Sequence, residues 1–376
     1  MNGSLRRRCG TPIGRTAAIL LFSLAVLLSF SGCLDSFQKI ANPYYDIDAV
    51  YSLDSKTSYF LKYGYSVTNY DGTVNITLPL PKGAAHSAGG KVEYITVAGN
   101  PVIRWTFSEE GTKEFSVSVS GAGTLGIFKP KNATIHEAGA AHPEYLKDQH
   151  LINGKGESCW LIMPSNLQIK SAALGIAGAA GNGNAFTAAK SIFKWLKEST
   201  RYEFSSDPIP KSAVRTLAAG GGDCDDLSFL YISLCRAAGI PARFVTGYVL
   251  SNDTAHPVEP HAWVEFYDGA VGAGQWVPVE VAGSGGGAEA LKSETDTHFA
   301  VRHPDHVAVF TDDGSNASMS IYSGIESRYH ENKPVIEQLL EGTIETLSAA
   351  KLVVYKDGRR EIKPMDWEPK VSFSFW

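Results

Sequence analysis

GGGDCDDLSFLYISLCRAAGIPARFVTGYV (220–249) sets the architecture around which the rest of the chain can be arranged. Leu227, Leu230, Tyr231, Leu234 and Ala238 recur at helical spacing, Gly239 ends the run, and Pro241 stops it. The spacing predicts a helix whose first turn carries Cys224. Unpaired amides and the positive end of the helix dipole favour a thiolate there, and the same amides can donate to an oxyanion forming beside the sulfur. Asp223, Asp225 and Asp226 act against ionisation, so a basic partner is required nearby. Taken alone, Cys224 reads as a nucleophile, a buried structural cysteine or a metal ligand. Cys235, deep in the same helix, reads as a small core residue.

The basic partner lies downstream. HAWVEFY (261–267) is strand-like, DGAVGAG (268–274) is a turn, and QWVPVE (275–280) returns to Glu280. If Tyr267 pairs with Gly274 or Gln275, His261 faces Glu280 or Val281. In the first register His261 and Glu280 are a directly opposed cross-strand pair with Cβ atoms about 5 Å apart. A thiol, an imidazole and a carboxylate that orients it make a nucleophilic triad. Cys224, His261 and Glu280 are therefore the expected catalytic set.

The ordered set GDCDD, LCRAAGIPARFVTGYV, HAWVEFY and WVPVE resembles the core of the transglutaminase-like superfamily over residues 185–285. The resemblance implies an α+β fold: a papain-like/transglutaminase-like core, with the nucleophile helix packed on an antiparallel sheet. It implies Cys224 as nucleophile and His261 as general base and then acid, with Glu280 standing where the family usually has aspartate. It further implies acyl transfer on protein or peptide amides through a thioester, without a cofactor. Water completes hydrolysis and an amine completes cross-linking; prokaryotic relatives favour hydrolysis. A catalytically silent surface module is the third class. Tyr202 is a candidate second oxyanion donor.

Other polar features carry less. Gly178, Gly181 and Gly183 fit neither the dinucleotide fingerprint nor the phosphate-loop pattern. DCDD lacks the glycine and distal glutamate of a calcium loop. His256, His303 and His306 have no recognisable zinc spacing with Cys224, so no metal is expected.

The amino terminus reads as an address. Arg6, Arg7 and Arg8 precede an apolar run from Ala17 to Phe30, then Ser31, Gly32 and Cys33. This is the layout of an export signal, and FSGC resembles the lipid-attachment box of prokaryotic lipoproteins, with Cys33 as the lipidated residue. Residues 1–33 are thus a signal with a membrane anchor, and the expected location is the extracytoplasmic surface. Loss of residues 1–32 leaves 30 basic against 39 acidic side chains, a net charge of −9. Such a surface lacks the positive field that nucleic acid demands. A composition of 44% hydrophobic and 19% charged residues excludes global disorder.

Three blocks follow. Residues 40–130 read as a β-sandwich-like domain, including a hairpin from Tyr63–Val67 through Tyr70-Asp71-Gly72 to Val74–Leu78. Residues 135–312 read as the catalytic domain, with a helix from Ala185 to Thr200. Residues 313–376 read as an extension with a helix from Pro334 to Ala350 and a hairpin at Lys356-Asp357-Gly358.

Overall fold

The computed structural model describes residues 46–152, 158–181, 183–205, 210–283 and 286–369. The signal segment and Cys33 lie outside the described residues. No helix among the described residues is long and apolar enough to cross a membrane.

The first strands are β1 (Ile47–Asn69), β2 (Thr73–Pro79), β3 (Ala85–His86), β4 (Lys91–Val97), β5 (Asn100–Phe107), β6 (Gly111–Thr124) and β7 (Gly126–Ile127). Helix α1 (Ile135–Ala141), strands β8 (Gln149–Ile152) and β9 (Ser158–Ile162), and helices α2 (Leu167–Ala179) and α3 (Ala185–Ser199) follow. Next come β10 (Arg201–Tyr202), α4 (Ala213–Ala219), β11 (Gly221–Gly222), α5 (Cys224–Ala237), β12 (Ala242–Leu250), β13 (Val258–Asp268), β14 (Gln275–Val279) and α6 (Ala288–His298). The chain closes with β15 (Val301–Arg302), β16 (His306–Thr311), β17 (Ile325–Arg328), β18 (Val335–Tyr355) and β19 (Arg360–Pro364). Contacts divide it into a small unit, Met1–Tyr51 with Lys351–Trp376, and a large one, Ser52–Ala350.

In the large unit two sheets, ordered β18-β1-β6-β3 and β17-β2-β5-β4, enclose one apolar core. Alternating residues from both sheets fill it, among them Leu61, Tyr63, Val74, Ile76, Trp105 and Phe115. The chain reversal at 70–72 is not the hairpin that its sequence suggests. β1 pairs with β6 while β2 pairs with β5, so the turn carries the chain from one sheet to the other. The buried Asn69 fastens this crossing by donating to Gly72 O at 2.8 Å and accepting from Gly72 N at 3.2 Å. Apolar alternation on both sides of a turn is the same for a hairpin and a crossing, so only the pairing partners separate the two.

Pro334–Ala350 is likewise a strand, not a helix. Its Leu, Glu and Ala content favours a helix locally. Yet Ile336, Leu340, Gly342 and Ile344 fall on one face of β18, and the isoleucines and Leu340 pack against the sandwich core. Gly342 admits the tip of the β12–β13 hairpin: a Cβ there would lie 2.4 Å from Val258 Cγ2 and 2.6 Å from Leu250 Cδ2. In the small unit the end of β18 turns through Lys356-Asp357-Gly358 into β19, with Tyr355 N donating to Arg359 O at 2.9 Å and Gly358 at φ 82°.

The second layered body is an antiparallel sheet ordered β14-β13-β12-β16. Its even-numbered residues, Phe244, Ala262, Val264 and Phe266, are buried toward the helices. α5 is the central helix and is buried almost throughout, with Tyr231 Oη donating to Ala189 O of α3 at 3.0 Å. The stripe predicted on α3, from Ala185 to Leu196, is buried against it.

The C-terminal end of α5 is locked by a fully satisfied buried ion pair. Arg236 Nη2 lies 2.9 Å from Asp312 Oδ2, Nη1 donates to Gln149 Oε1 at 2.6 Å and to Lys147 O at 2.8 Å, and Nε donates to Ala242 O at 2.8 Å. Asp312→Ala leaves this guanidinium buried without its counter-charge and is expected to cost about 3–5 kcal/mol. Urea denaturation checks this; a loss below about 1 kcal/mol, the range of exposed pairs, would contradict it.

Candidate functional site

Helix α5 begins where the sequence placed it. Asp223 is the N-cap: it accepts from Asp226 N at 3.2 Å, and Asp226 Oδ2 accepts from Asp223 N at 3.3 Å. Asp226 also holds Lys211 Nζ at 2.7 Å, which neutralises one of the three acids. The chain enters through Gly221 and Gly222, paired in parallel with Arg201 and Tyr202. A Cβ on Gly222 would lie 2.4 Å from Asp226 Cβ, so a side chain there would collide with the capping box.

Cys224 is the first residue of α5 and lines a cavity of about 200 Å³ with His261, Asp225, Tyr248, Tyr322 and Tyr65. The backbone amide of Ala262, next to His261, acts on the sulfur in the direction that favours the thiolate. Burial raises the thiol pKa above its usual value, and Asp225, Asp223 and Glu280 add to the rise. The Ala262 amide does not offset this, so the resting sulfur carries its proton.

His261 stands on β13 and presents Nε2 to Glu280 Oε2 at 2.7 Å. A carboxylate only accepts, so Nε2 carries the proton and Nδ1 is the ring nitrogen available to the thiol. Glu280 Oε1 accepts from Ala282 N at 2.7 Å. Burial alone would raise the Glu280 pKa, but the imidazoles of His261 and His306 hold it well below the usual carboxylate range. The segment after Glu280 is anchored by the buried Lys197, which donates to Ala282 O and pairs with Glu294 at 2.9 Å.

The register that joins His261 to Glu280 differs from the expected one. Tyr267 pairs with Trp276 and Val264 with Val279. Continued, that register sets Trp263 opposite Glu280 and leaves His261 diagonal to it on the same face. A diagonal pair is about 7–8 Å apart at the backbone, which a glutamate spans more readily than the shorter aspartate.

His306 was not among the expected site residues. It lies on β16, opposite Val249, and its Nε2 reaches the same Glu280 Oε2 at 3.0 Å while its Nδ1 faces Asp305 Oδ1 at 2.7 Å. Gly247, opposite His261, leaves the sheet face between them bare; a Cβ there would lie 2.0 Å from Val307 O. No sequence spacing signals this contact, because β12 and β13 separate β16 from β14. Among the described residues, His261, Glu280 and His306 are the one group of three donors close enough to surround a cation. Their facing atoms are already joined through protons, so the cluster reads as hydrogen-bonded.

Tyr202 pairs with Gly222, two residues before the nucleophile. Burial, followed by the charges of Cys224 and Asp223, pushes its hydroxyl up to about 12, so it stays a donor. Tyr322 Oη donates to Asp225 Oδ1 at 3.1 Å. A second cavity, of about 320 Å³, meets Glu280 and His306 from the face bearing Trp263, Trp276 and Arg243, and the sulfur does not line it.

The sequence model of the Transglutaminase-like superfamily matches residues 173–281. Residues 173–281 form a transglutaminase-like domain. A candidate cysteine protease from Cytophaga hutchinsonii shares the fold at a TM-score of 0.50, with 15% identity over 80% of this chain and 93% of its own. The periplasmic domain of TgpA from Pseudomonas aeruginosa, bound to ethylmercury, aligns with a TM-score of 0.30 and 14% identity, covering 61% of this chain and 90% of its own. Red sea bream transglutaminase aligns with a TM-score of 0.30 and 8% identity over 77% and 76%. No curated protein sequence matches the chain. Within residues 173–281, His261 and Glu280 are hydrogen-bonded, Cys224 lines one cavity with His261, and Cys235 is buried in the core as a free thiol separate from Cys224.

Burial, with the Asp223 charge second, pushes Asp225 up to about 7. A raised carboxyl pKa makes the folded chain bind more protons than the unfolded chain between about pH 4 and 7, so this group lowers stability as pH climbs through that window. Asp225→Asn is expected to match the wild type below about pH 4 and to gain on it progressively up to about pH 7. Denaturation midpoints across this range check it; a constant difference would contradict it.

Proposed function

We propose that this protein is an exported, thiol-dependent acyl-transfer enzyme that hydrolyses amide bonds of proteins or peptides. The observation that carries the reading is that Cys224 lines one cavity with an imidazole, His261, whose Nε2 is committed to Glu280. In this reading His261 Nδ1 takes the Cys224 proton as the sulfur attacks the carbonyl carbon, then gives it to the leaving amine. Amides at the start of α5 and the Tyr202 hydroxyl face the oxyanion. Water attacks the thioester with His261 as base, which returns the free thiol and releases the acid. The neutral resting thiol fits general-base activation in the complex better than a standing thiolate. Aromatic walls from Tyr65, Tyr248 and Tyr322 suit an extended peptide.

Cys224→Ala is expected to reduce turnover of a panel of peptide amides to background. His261→Ala is expected to lower it by about 10²–10⁴-fold. Glu280→Asp is expected to lose activity as well, because the shorter chain no longer spans the diagonal. Unchanged turnover in Cys224→Ala would refute the reading. An added primary amine yields free acid under the hydrolytic reading; conjugate in its place would establish a transferase.

The export component rests on residues 1–33. Metabolic labelling with an alkyne fatty acid is expected to mark the wild type and not Cys33→Ala; equal labelling of both would contradict lipidation at Cys33.

A further inference from the structure

We propose that His306 is a positioning residue, an imidazolium clamped between Asp305 and Glu280 that fixes the carboxylate orienting His261. The hydrogen bonds carry this assignment. Both ring nitrogens of His306 face carboxylate oxygens, Nδ1 toward Asp305 at 2.7 Å and Nε2 toward Glu280 at 3.0 Å. Carboxylates accept only, so both nitrogens must donate, and a ring with two N–H groups is charged.

The consequence for Glu280 is a three-point clamp. Oε1 takes the Ala282 amide, and Oε2 takes one N–H from each of two imidazoles. Rotation of the carboxylate away from His261 breaks all three bonds. The positive ring also offsets part of the Glu280 charge, which adds to Asp225 and Asp223 in opposing ionisation of Cys224. Loss of His306 therefore loosens the orienting acid and raises the cost of forming a thiolate.

The groups facing His306 are Asp305 on its own segment, Glu280 after β14, His261 with Trp263 on β13, His303 in the preceding loop, and His298 at the end of α6 backed by Glu294 and Lys197. His303 is neutral: burial, then the charges of His306 and His298, push it down to about 4, and its Nε2 donates to Thr297 O at 2.9 Å. Burial opposes the charge on His306, but Asp305 and Glu280 raise its pKa to about 9. A raised histidine pKa stabilises the fold fully below the unfolded value, about 6.5, and that contribution disappears as pH rises through about 9. Above that point one ring nitrogen turns a lone pair toward a carboxylate, and the clamp opens.

The test uses the mature chain labelled with 15N-histidine, followed across pH by the ring-nitrogen resonances, together with iodoacetamide alkylation of Cys224 read from its peptide by mass spectrometry. A doubly protonated ring is expected to persist to about pH 9 in the wild type, to vanish in His306→Gln, and to titrate lower in Asp305→Asn. Alkylation near neutral pH is expected to slow about tenfold in His306→Ala, the lower end for losing an orienting partner, and less in His306→Gln, whose amide still donates. If His306→Ala fails to fold, His306→Gln carries the test. A merely structural role would also expose the buried Cys235 to alkylation and would leave the ring titrating near its ordinary value. Absence of an imidazolium above about pH 7, or alkylation of Cys224 equal in the wild type and both His306 variants, overturns the inference. The inference rests on the thiol–imidazole reading, so His261→Ala is measured alongside: alkylation indifferent to His261 removes that reading, whereas alkylation slowed by His261→Ala but not by the His306 variants overturns this inference alone.

Discussion

One carboxylate oxygen, Glu280 Oε2, accepts a hydrogen bond from each of two histidines, one on β13 and one on β16, and the geometry of the candidate site follows from holding that oxygen still. The β13–β14 register sets His261 diagonal to Glu280, Lys197 pins the backbone that follows, and His306 arrives across a sheet face left bare at Gly247. With Nε2 thus engaged, the His261 ring keeps Nδ1 for the thiol. The fold invests in this arrangement with a buried lysine and a buried histidine, each of which is tolerable only because its partners are present.

The sulfur meets two opposing fields. The Ala262 amide favours a thiolate, whereas burial, Asp225 and Asp223 oppose it, and the opposition is larger. A cysteine at a helix N-terminus is thus not activated by position alone. Under the proposed function its reactivity depends on an imidazole able to take the proton while the substrate excludes water, which makes the orientation of His261 the controlling variable.

Where the determinants are local, the sequence was legible. The helix start that puts Cys224 in the first turn, the apolar stripe of α5 and the Gly239-Ile240-Pro241 stop each lie within a few residues of what they govern, and all three are where spacing put them; the Asp223–Asp226 capping box was not read from the sequence. Legibility fell where the decisive contact is distant. The glycine-rich turn at 268–274 tolerates several pairings, so the register that sets His261 directly opposite Glu280 is off by two residues; an even shift keeps both side chains on one face, and their contact is diagonal. The Leu- and Glu-rich run of β18 carries helical propensity, and only the fit of Gly342 under Leu250 and Val258 identifies it as a strand. His306 reaches Glu280 from a strand two removed in the sheet order, a contact that no local pattern encodes.

The most direct test of the account is a crystal structure of the protein after reaction with a peptide aldehyde. The account predicts a hemithioacetal on Cys224, its oxygen facing the amides at the start of α5, with His261 Nδ1 toward the adduct and Nε2 still on Glu280. An aldehyde that leaves Cys224 untouched, or an adduct from which the His261 ring is turned away, would contradict it.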